Sequence, residues 1–375
     1  MDNFKIKSNL FFGRDSLCAL DEIHDENVLI VCDAFIKKSG MLDNITCHLT
    51  NCTISVFDEV VPDPPIEVVS AGIQCLMQCK ASILIAVGGG SAIDACKAIR
   101  YLAEQKELAN IKRCYAIPTT SGTGSEVTQF SVISNKQEGV KYPLIDEALQ
   151  PTVAILDPEL VKSMPPSITA DTGMDALTHA LEAYVSNDSN DFTDALAEKS
   201  ITLLMRFLPY AYAHGDDMEA REKVHNASCL AGMAFSMVGL GINHSVAHAI
   251  GAKFHIPHGR ANAIVLQHSI EFNAHLDSGM ETVTARKYQR ISKLIGLPYS
   301  SVPLAVSSLC SKVRDLNRLF GIPATLEGMD ICTEEVEKLR HEMAKAALAD
   351  PCTKTNPRQP GIEDLELIID RVKGK

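Results

Sequence analysis

The sequence predicts two domains of different class, an α/β nucleotide-binding domain over residues 1–167 and an all-helical domain over residues 168–375. Three observations predict this. Short apolar runs alternate with helically spaced segments in the first third, the pattern of a parallel sheet covered on both faces. Beyond Pro165-Pro166 helical patterns continue while strand signals all but vanish. At the usual ~100–200 residues per domain, 375 residues suits two.

The elements follow in order. Val28-Leu-Ile-Val-Cys-Asp33 is an apolar run ending in a carboxylate, and residues 53–57, 81–87 and 114–118 are further short strands. Residues 66–78 and 92–104 between them carry apolar side chains every three or four positions, as helices do. Pro62-Asp-Pro-Pro65 is a loop. In the second domain residues 176–184, 194–207, 218–237 and 334–348 repeat the helical spacing. No internal repeat or low-complexity segment interrupts the chain.

Composition excludes several classes. Lys+Arg is 35 and Asp+Glu 47, a formal charge of −12. No basic run is long enough to bind nucleic acid or an anionic membrane. The 12 cysteines include no C-x-x-C pair, and most sit in apolar stretches, which reads as a reducing, cytoplasmic setting. The first twenty residues hold Lys5, Lys7, Arg14 and Asp15 and no long apolar run, so no secretory signal is expected. Residues 224–252 lack Asp, Glu, Lys and Arg, and ~20 apolar residues can cross a bilayer. This stretch also holds three histidines and the Gly239-Leu-Gly241 break, so a buried core is expected.

Two loops suit a phosphate-bearing cofactor. Gly88-Gly89-Gly90-Ser91 follows the strongest strand and opens a helix, where backbone N–H groups and the helix's positive end can hold a phosphate. Ser91 with Asp94 three residues on fits a capping-box variant. The loop is not G-x-G-x-x-G, so the standard Rossmann fingerprint is absent. Asp33 ends the first strong strand, where a carboxylate can accept hydrogen bonds from an adenosine ribose; a helix N-cap is the alternative. Pro118-Thr-Thr-Ser-Gly-Thr-Gly-Ser-Glu126 follows the next strand with hydroxyls and glycines that suit cofactor or substrate.

The histidines suggest a metal. Six of the 12 lie between His244 and His275. His244 and His248 are four apart, as are Asp175 and His179, and His258 lies in an Ile-Pro-His-Gly turn. Residues at i and i+4 share a helix face, so each pair can reach one ion. Three imidazoles and a carboxylate make an N/O site for Fe²⁺, Zn²⁺, Mn²⁺ or Co²⁺.

At these residues the chain resembles the iron-containing (group III) alcohol dehydrogenases over essentially its whole length. The matching stretches are Gly88 to Lys97, Ile117 to Glu126, Asp171 to Tyr184, Gly241 to Asn262 and Asn356-Pro-Arg358. Thr193 to Glu198 and His225-Asn-Ala-Ser228 are most similar to members that serve propanediol utilisation in bacterial microcompartments. The resemblance implies a dehydroquinate-synthase-like fold with its active site in the cleft between the domains. It assigns the metal to Asp175, His179, His244 and His258, and leaves His248 beside the site as a candidate for proton transfer. It gives the pyrophosphate to the glycine loop, with which Asp94 is counted as a cofactor-binding candidate, and matches Asp33, Thr119, Thr120, Thr123 and Lys141 to cofactor-contacting positions, with Asp33 favouring NAD over NADP. Phe235, Leu240 and Cys352 match the nicotinamide and substrate pocket. Two departures stand out: Ser121 where Ala is common, and Asp63 where some members have Asn.

The activity implied is NAD(H)- and iron-dependent interconversion of short aldehydes and primary alcohols, propionaldehyde/1-propanol or acetaldehyde/ethanol. A homodimer or larger assembly, with microcompartment shell or enzyme partners, is implied as well. The alternatives are a zinc polyol dehydrogenase or dehydroquinate-synthase-like lyase on the same fold, and a nucleotide-binding protein without catalysis.

Overall fold

The computed structural model describes residues 4–135, 140–276, 278 and 280–375. The chain forms two compact units, Met1–Met164 with Gly215–Ser236, and Pro165–His214 with Met237–Lys375.

The first unit is built on a six-stranded, all-parallel sheet. Its strands are β1 (Asn9–Phe12), β2 (Asn27–Asp33), β3 (Thr53–Val60), β4 (Ile83–Gly88), β5 (Arg113–Pro118) and β8 (Val153–Leu156), in the order β1-β8-β5-β4-β2-β3. β6 (Phe130–Asn135) and β7 (Val140–Ile145) form a separate antiparallel pair. Side chains alternate between faces along a strand, and the buried residues divide accordingly. Leu29, Val31, Leu84, Ala86, Cys114 and Ala116 pack on one side with α3 (Ile66–Cys79) and α4 (Gly90–Gln105). Val28, Ile30, Ile83, Ile85, Tyr115 and Ile117 pack on the other, where α1 (Ala34–Lys38) and α2 (Asp43–Thr46) contribute Ile36 and Ile45. The order reverses between β2 and β4, and a parallel sheet places its ligand contacts at the carboxyl ends of strands beside such a reversal.

The second unit is helical. Its elements are α5 (Pro166–Val185), α6 (Asp191–Ala213), α8 (Ile242–Phe254), α9 (His258–Asn273), α10 (Val283–Leu294), α11 (Val302–Leu319), α12 (Thr333–Ala349) and α13 (Ile362–Lys373). α5 is its centre, packed against α6 and α9, and almost every residue from Thr169 to Val185 is buried.

The expected break at 167/168 differs from these units. α7 (Met218–Val238) begins in the first unit, where residues 215–236 pack. Buried Arg221 donates to the carbonyls of Gly215 (2.8 Å) and Met164 (2.9 Å), and Ser236 bonds Gln129 at 3.1 and 2.9 Å. Helical periodicity records that a face is buried but not in which core, so the return of this segment was not visible in the sequence. Among the described residues no single helix is long and apolar enough to cross a membrane, and residues 224–252 are mostly buried in a run broken between α7 and α8.

Candidate metal centre and cofactor loop

Three helices of the second unit build the metal centre. Asp175 and His179 lie one turn apart on α5, His244 and His248 one turn apart on α8, and His258 opens α9. Gly259 lets α9 reach α5: a Cβ there would stand 2.0 Å from the Asp171 carbonyl oxygen. Arg260 locks the approach, its Nε donating to Asp171 at 3.1 Å.

The donor atoms converge. One each from Asp175, His179, His244 and His258 all lie within 4.8 Å of one another. Asp175 Oδ1 is 3.9, 3.7 and 3.4 Å from the Nε2 atoms of His179, His244 and His258. The His179 and His244 rings stack with centroids 4.7 Å apart. His248 is not among these four. Its ring stacks on His258 at 5.2 Å, and its Nδ1 faces Asp350 Oδ2 at 2.8 Å.

Three residues outside the predicted set support the centre. Glu182 accepts from the N–H groups of Asn243 (2.8 Å) and His244 (3.4 Å) at the start of α8, and its other oxygen bonds His244 Nδ1. That partner turns Nε2 toward the other donors, as the outer partner of a ligating imidazole does. Asn262 Nδ2 donates to Asp175 Oδ1 at 2.7 Å and lies 3.1 Å from both His244 Nε2 and His258 Nε2, held from behind by Asn243. Asp350 orients His248. Glu182 and Asn262 had a sequence signal, since they follow His179 and His258 by three and four residues on the same helices; Asp350 had none.

The donor set fits a divalent cation. Burial would raise the Asp175 carboxyl, yet the imidazoles of His179, His258 and His244 hold it well below the usual carboxylate range. Burial would lower His244, but Glu182 and Asp175 raise it to about 9, whereas burial takes His258 down to about 3 in spite of Asp175. The Asn262 amide has two protons for three acceptors. A dication among three imidazoles and a carboxylate resolves this, and no thiol competes.

In the first unit the sequence-predicted cofactor residues assemble at the ends of β2, β4 and β5. Gly88 has φ +148°, and a Cβ there would stand 2.7 Å from that of Ala92 and 3.8 Å from Asp33 Oδ2. Asp33 Oδ1 caps α1, accepting from Phe35 N (2.8 Å) and Ile36 N (3.0 Å). Thr119 N donates to Gly88 O at 3.0 Å, and Thr120 and Thr123 flank Gly89 and Gly90. The expected Ser91–Asp94 capping box does not form. Gly89 is the N-cap of α4, no side chain caps it, and Asp94 instead accepts from Ser125 Oγ (2.5 Å) and Val132 N (3.0 Å). Ala92 N already donates to Gly89 O at 3.1 Å, so the N–H groups of Gly90 and Ser91 are the ones left to an anion. Lys141 lies on β7, with its side chain outside the described residues.

Ser121, the departure from the common Ala, bonds buried His225 Nδ1 at 2.9 Å. Burial pushes His225 down to about 4, so its ring is neutral. Of the predicted pocket residues, Phe235 stacks on Phe130 in the first unit, with centroids 6.1 Å apart. Leu240 and Cys352 belong to the second unit, and the Leu240 carbonyl accepts from Thr355 at 2.6 Å.

A parallel-sheet unit with a glycine turn suited to phosphate and a helical unit in which three buried side chains, Asp175, His179 and His244, converge with the exposed His258 define a metal-type dehydrogenase. The chain belongs to the iron-containing alcohol dehydrogenase family. Residues 7–158 match the family model "Iron-containing alcohol dehydrogenase", and residues 169–372 match "Fe-containing alcohol dehydrogenase family, C-terminal". It is 44% identical to the 1-propanol dehydrogenase PduQ of Salmonella typhimurium, covering 99% of this chain and 100% of that one. It is 39% identical to an NADPH-dependent butanol dehydrogenase of Clostridium saccharobutylicum, over 99% and 98% of the two chains. A solved 1,3-propanediol oxidoreductase superposes with a TM-score of 0.90 at 32% identity, covering 99% of this chain and 100% of that one. The protein is an oxidoreductase, an iron-type alcohol dehydrogenase.

Proposed function

We propose that the protein interconverts short-chain aldehydes and primary alcohols with NAD(H) and Fe²⁺, propionaldehyde and 1-propanol foremost. The observation that carries this is the convergence of Asp175, His179 and His244, all buried, with His258 at the exposed side, supported by Glu182 and Asn262. When bound, the ion supplies Lewis acidity toward the substrate oxygen and the nicotinamide carries the hydride. The chain does the rest. Asp175 and the three imidazoles hold the cation, and Glu182 keeps His244 aimed. The uncapped first turn of α4 and the Thr119–Thr123 loop take the cofactor's phosphates. Asp33 Oδ2, the oxygen not engaged in capping α1, accepts from the adenosine ribose.

His248 moves the proton. Burial would raise Asp350, but bonds from His248 and Cys352 hold it at about 2, so an ionised carboxylate accepts from His248 Nδ1. The imidazole's Nε2 is then its basic nitrogen. Its side chain is 42% exposed, which leaves it a route to water.

The similarity to PduQ supports a role in propanediol utilisation, as a homodimer or larger assembly in the cytoplasm or inside a bacterial microcompartment. The test is metal analysis of anaerobically purified protein, coupled to NADH and NADPH oxidation with C2 to C4 aldehydes. We expect one iron per chain and fastest NADH oxidation with propionaldehyde. Equal rates after complete chelation, or no aldehyde turnover in metal-replete protein, would overturn the reading.

A further inference from the structure

We propose that His248, Asp350 and Cys352 form a second, separate cation site, selective for thiophilic divalent ions such as Zn²⁺, Cd²⁺ or Co²⁺, whose occupation disables His248. One donor atom each from these three residues lie within 4.8 Å of one another, the only such group besides the four-residue centre among the described residues.

The geometry is that of a site held open by one carboxylate. Asp350 Oδ1 accepts from Cys352 N at 2.9 Å and lies 3.4 Å from Ser245 Oγ, so α8 and the turn after α12 fix its orientation. Its Oδ2 faces His248 Nδ1 at 2.8 Å, and the Cys352 sulfur completes the group of donor atoms within 4.8 Å of one another. The Asp350 side chain is 16% exposed and Cys352 is half-buried, while His248 gives an approach from solvent. Sulfur, imidazole nitrogen and carboxylate oxygen with one position left for water is a donor set that Zn²⁺ favours and that Mg²⁺ or Ca²⁺ does not.

Charge permits both sites to fill. A dication with a thiolate and the Asp350 carboxylate is neutral, and a dication at Asp175 beside the Glu182 carboxylate is neutral too. The protons balance as follows. Cys352 loses its thiol proton to water as the S–metal bond forms. The His248 proton on Nδ1 shifts to Nε2 as Nδ1 takes the metal, so one proton is released per ion. Nε2 becomes an N–H donor and can no longer accept a proton. That consequence for rate rests on His248's proton-transfer role; the binding does not.

The experiment uses metal-replete holoenzyme titrated with Co²⁺. The four-residue centre has no thiol, so a sulfur-to-Co²⁺ charge-transfer band in the near ultraviolet reports the second site alone. We expect one further equivalent bound with that band. Cys352→Ser should abolish the band, and Cys352→Ser and His248→Asn should each weaken the second equivalent at least about tenfold while keeping the first metal and a cooperative melt. No further equivalent, no band, or a band undiminished in Cys352→Ser would each overturn the site. Zn²⁺ inhibition is measured in parallel. Inhibition of the wild type that weakens at least about tenfold in Cys352→Ser, relative to that variant's own rate, supports the link to His248. A bound second ion that leaves the rate unchanged keeps the site, overturns the disabling of His248 and removes the proton-transfer role.

Discussion

Each unit buries a carboxylate at the heart of its chemistry, and the two are handled in opposite ways. Asp94, in the first unit, has a cation of its own. Lys97 one turn along α4 is fully buried and donates to Ser125 Oγ (2.9 Å), Thr128 Oγ1 and O (both 3.0 Å) and Phe130 O (2.8 Å). Burial raises Asp94 and lowers Lys97 to about 8, the mark of a pair that resists charge and is kept in place by hydrogen bonds. Asp175, in the second unit, meets imidazoles and an amide. The first arrangement is closed on itself and clamps the loop after β5 under the glycine turn. The second is a set of converging side-chain donor atoms that could hold a metal ion. Here the carboxylate one turn from a buried amine belongs to a clamp, and the carboxylate that meets three imidazoles belongs to the candidate ligand set.

The sharpest test of that difference is to remove an acceptor from the open cluster. His258→Ala should leave a folded protein, because His258 is 43% exposed on its side chain and lies at the first position of a helix. It should carry almost no metal and almost no activity. Metal analysis beside circular dichroism checks both, and full metal content in the variant would sink the assignment.

His248 lies one turn from His244 without joining the four donors, so its loss should separate rate from binding. His248→Ala should keep most of the metal and lower kcat about 10²–10⁴-fold, the range for a lost acid–base group. Loss of metal equal to that of a His244 variant would make it a ligand instead.

How much of this was legible beforehand depends on the range of the signal. β2, β4 and β5 were readable because strands buried on both faces are almost wholly apolar, and the edge strand β3 through its short run Thr53-Ile-Ser-Val-Phe57. β1 and β8, four residues each, and the β6–β7 pair are too short or too polar to rise above their surroundings. The four converging donors were readable in part: Asp175 and His179 share helical spacing, His244 shares it with His248, which does not join the four, and His258 stands out by its Pro-His-Gly turn. Asp350 was not, because 102 residues separate it from His248. The capping box failed for a related reason. Ser91 and Asp94 have the right spacing, but Asp94 is drawn to Ser125 and Val132, which only the folded chain brings near.

The closed cluster should fail differently from the open one. Lys97→Met removes the charge that acts on Asp94 by way of Ser125 and leaves four acceptors unserved, at about 1–3 kcal/mol for a buried group left unpaired. Thermal denaturation should show a large loss, with metal content in the second unit unchanged. Asp94→Leu in the same chain should recover part of that loss, since removing both partners is far cheaper than removing one. If Lys97→Met instead left stability intact and abolished cofactor binding, the clamp would have to be read as part of the site.

The smallest expected effect concerns Asp33, which lies between the two cases because its oxygens have separate roles. Oδ1 caps α1 through Phe35 N and Ile36 N, which satisfies the structural reading. Oδ2 points toward Gly88 at the switch between β2 and β4, where the ribose of a cofactor on the glycine loop would lie. With NADP the 2′-phosphate would meet this carboxylate, and repulsion would add to the lost hydrogen bonds. A charged hydrogen bond is worth ~1.5–3 kcal/mol, so a preference for NADH of roughly 10- to 100-fold follows at ~1.4 kcal/mol per decade. The similarity to an NADPH-dependent butanol dehydrogenase makes the point worth measuring on this chain. Asp33→Asn keeps an oxygen for the cap and removes the charge, whereas Asp33→Gly removes both at a cap cost of only a few tenths of a kcal/mol. Both should narrow the ratio of kcat/KM for NADH over NADPH about tenfold or more at fixed salt, and neither should shift the melting temperature appreciably. A wild type that already prefers NADPH, or a ratio unmoved in both variants, would leave Asp33 as the cap of α1 and nothing more.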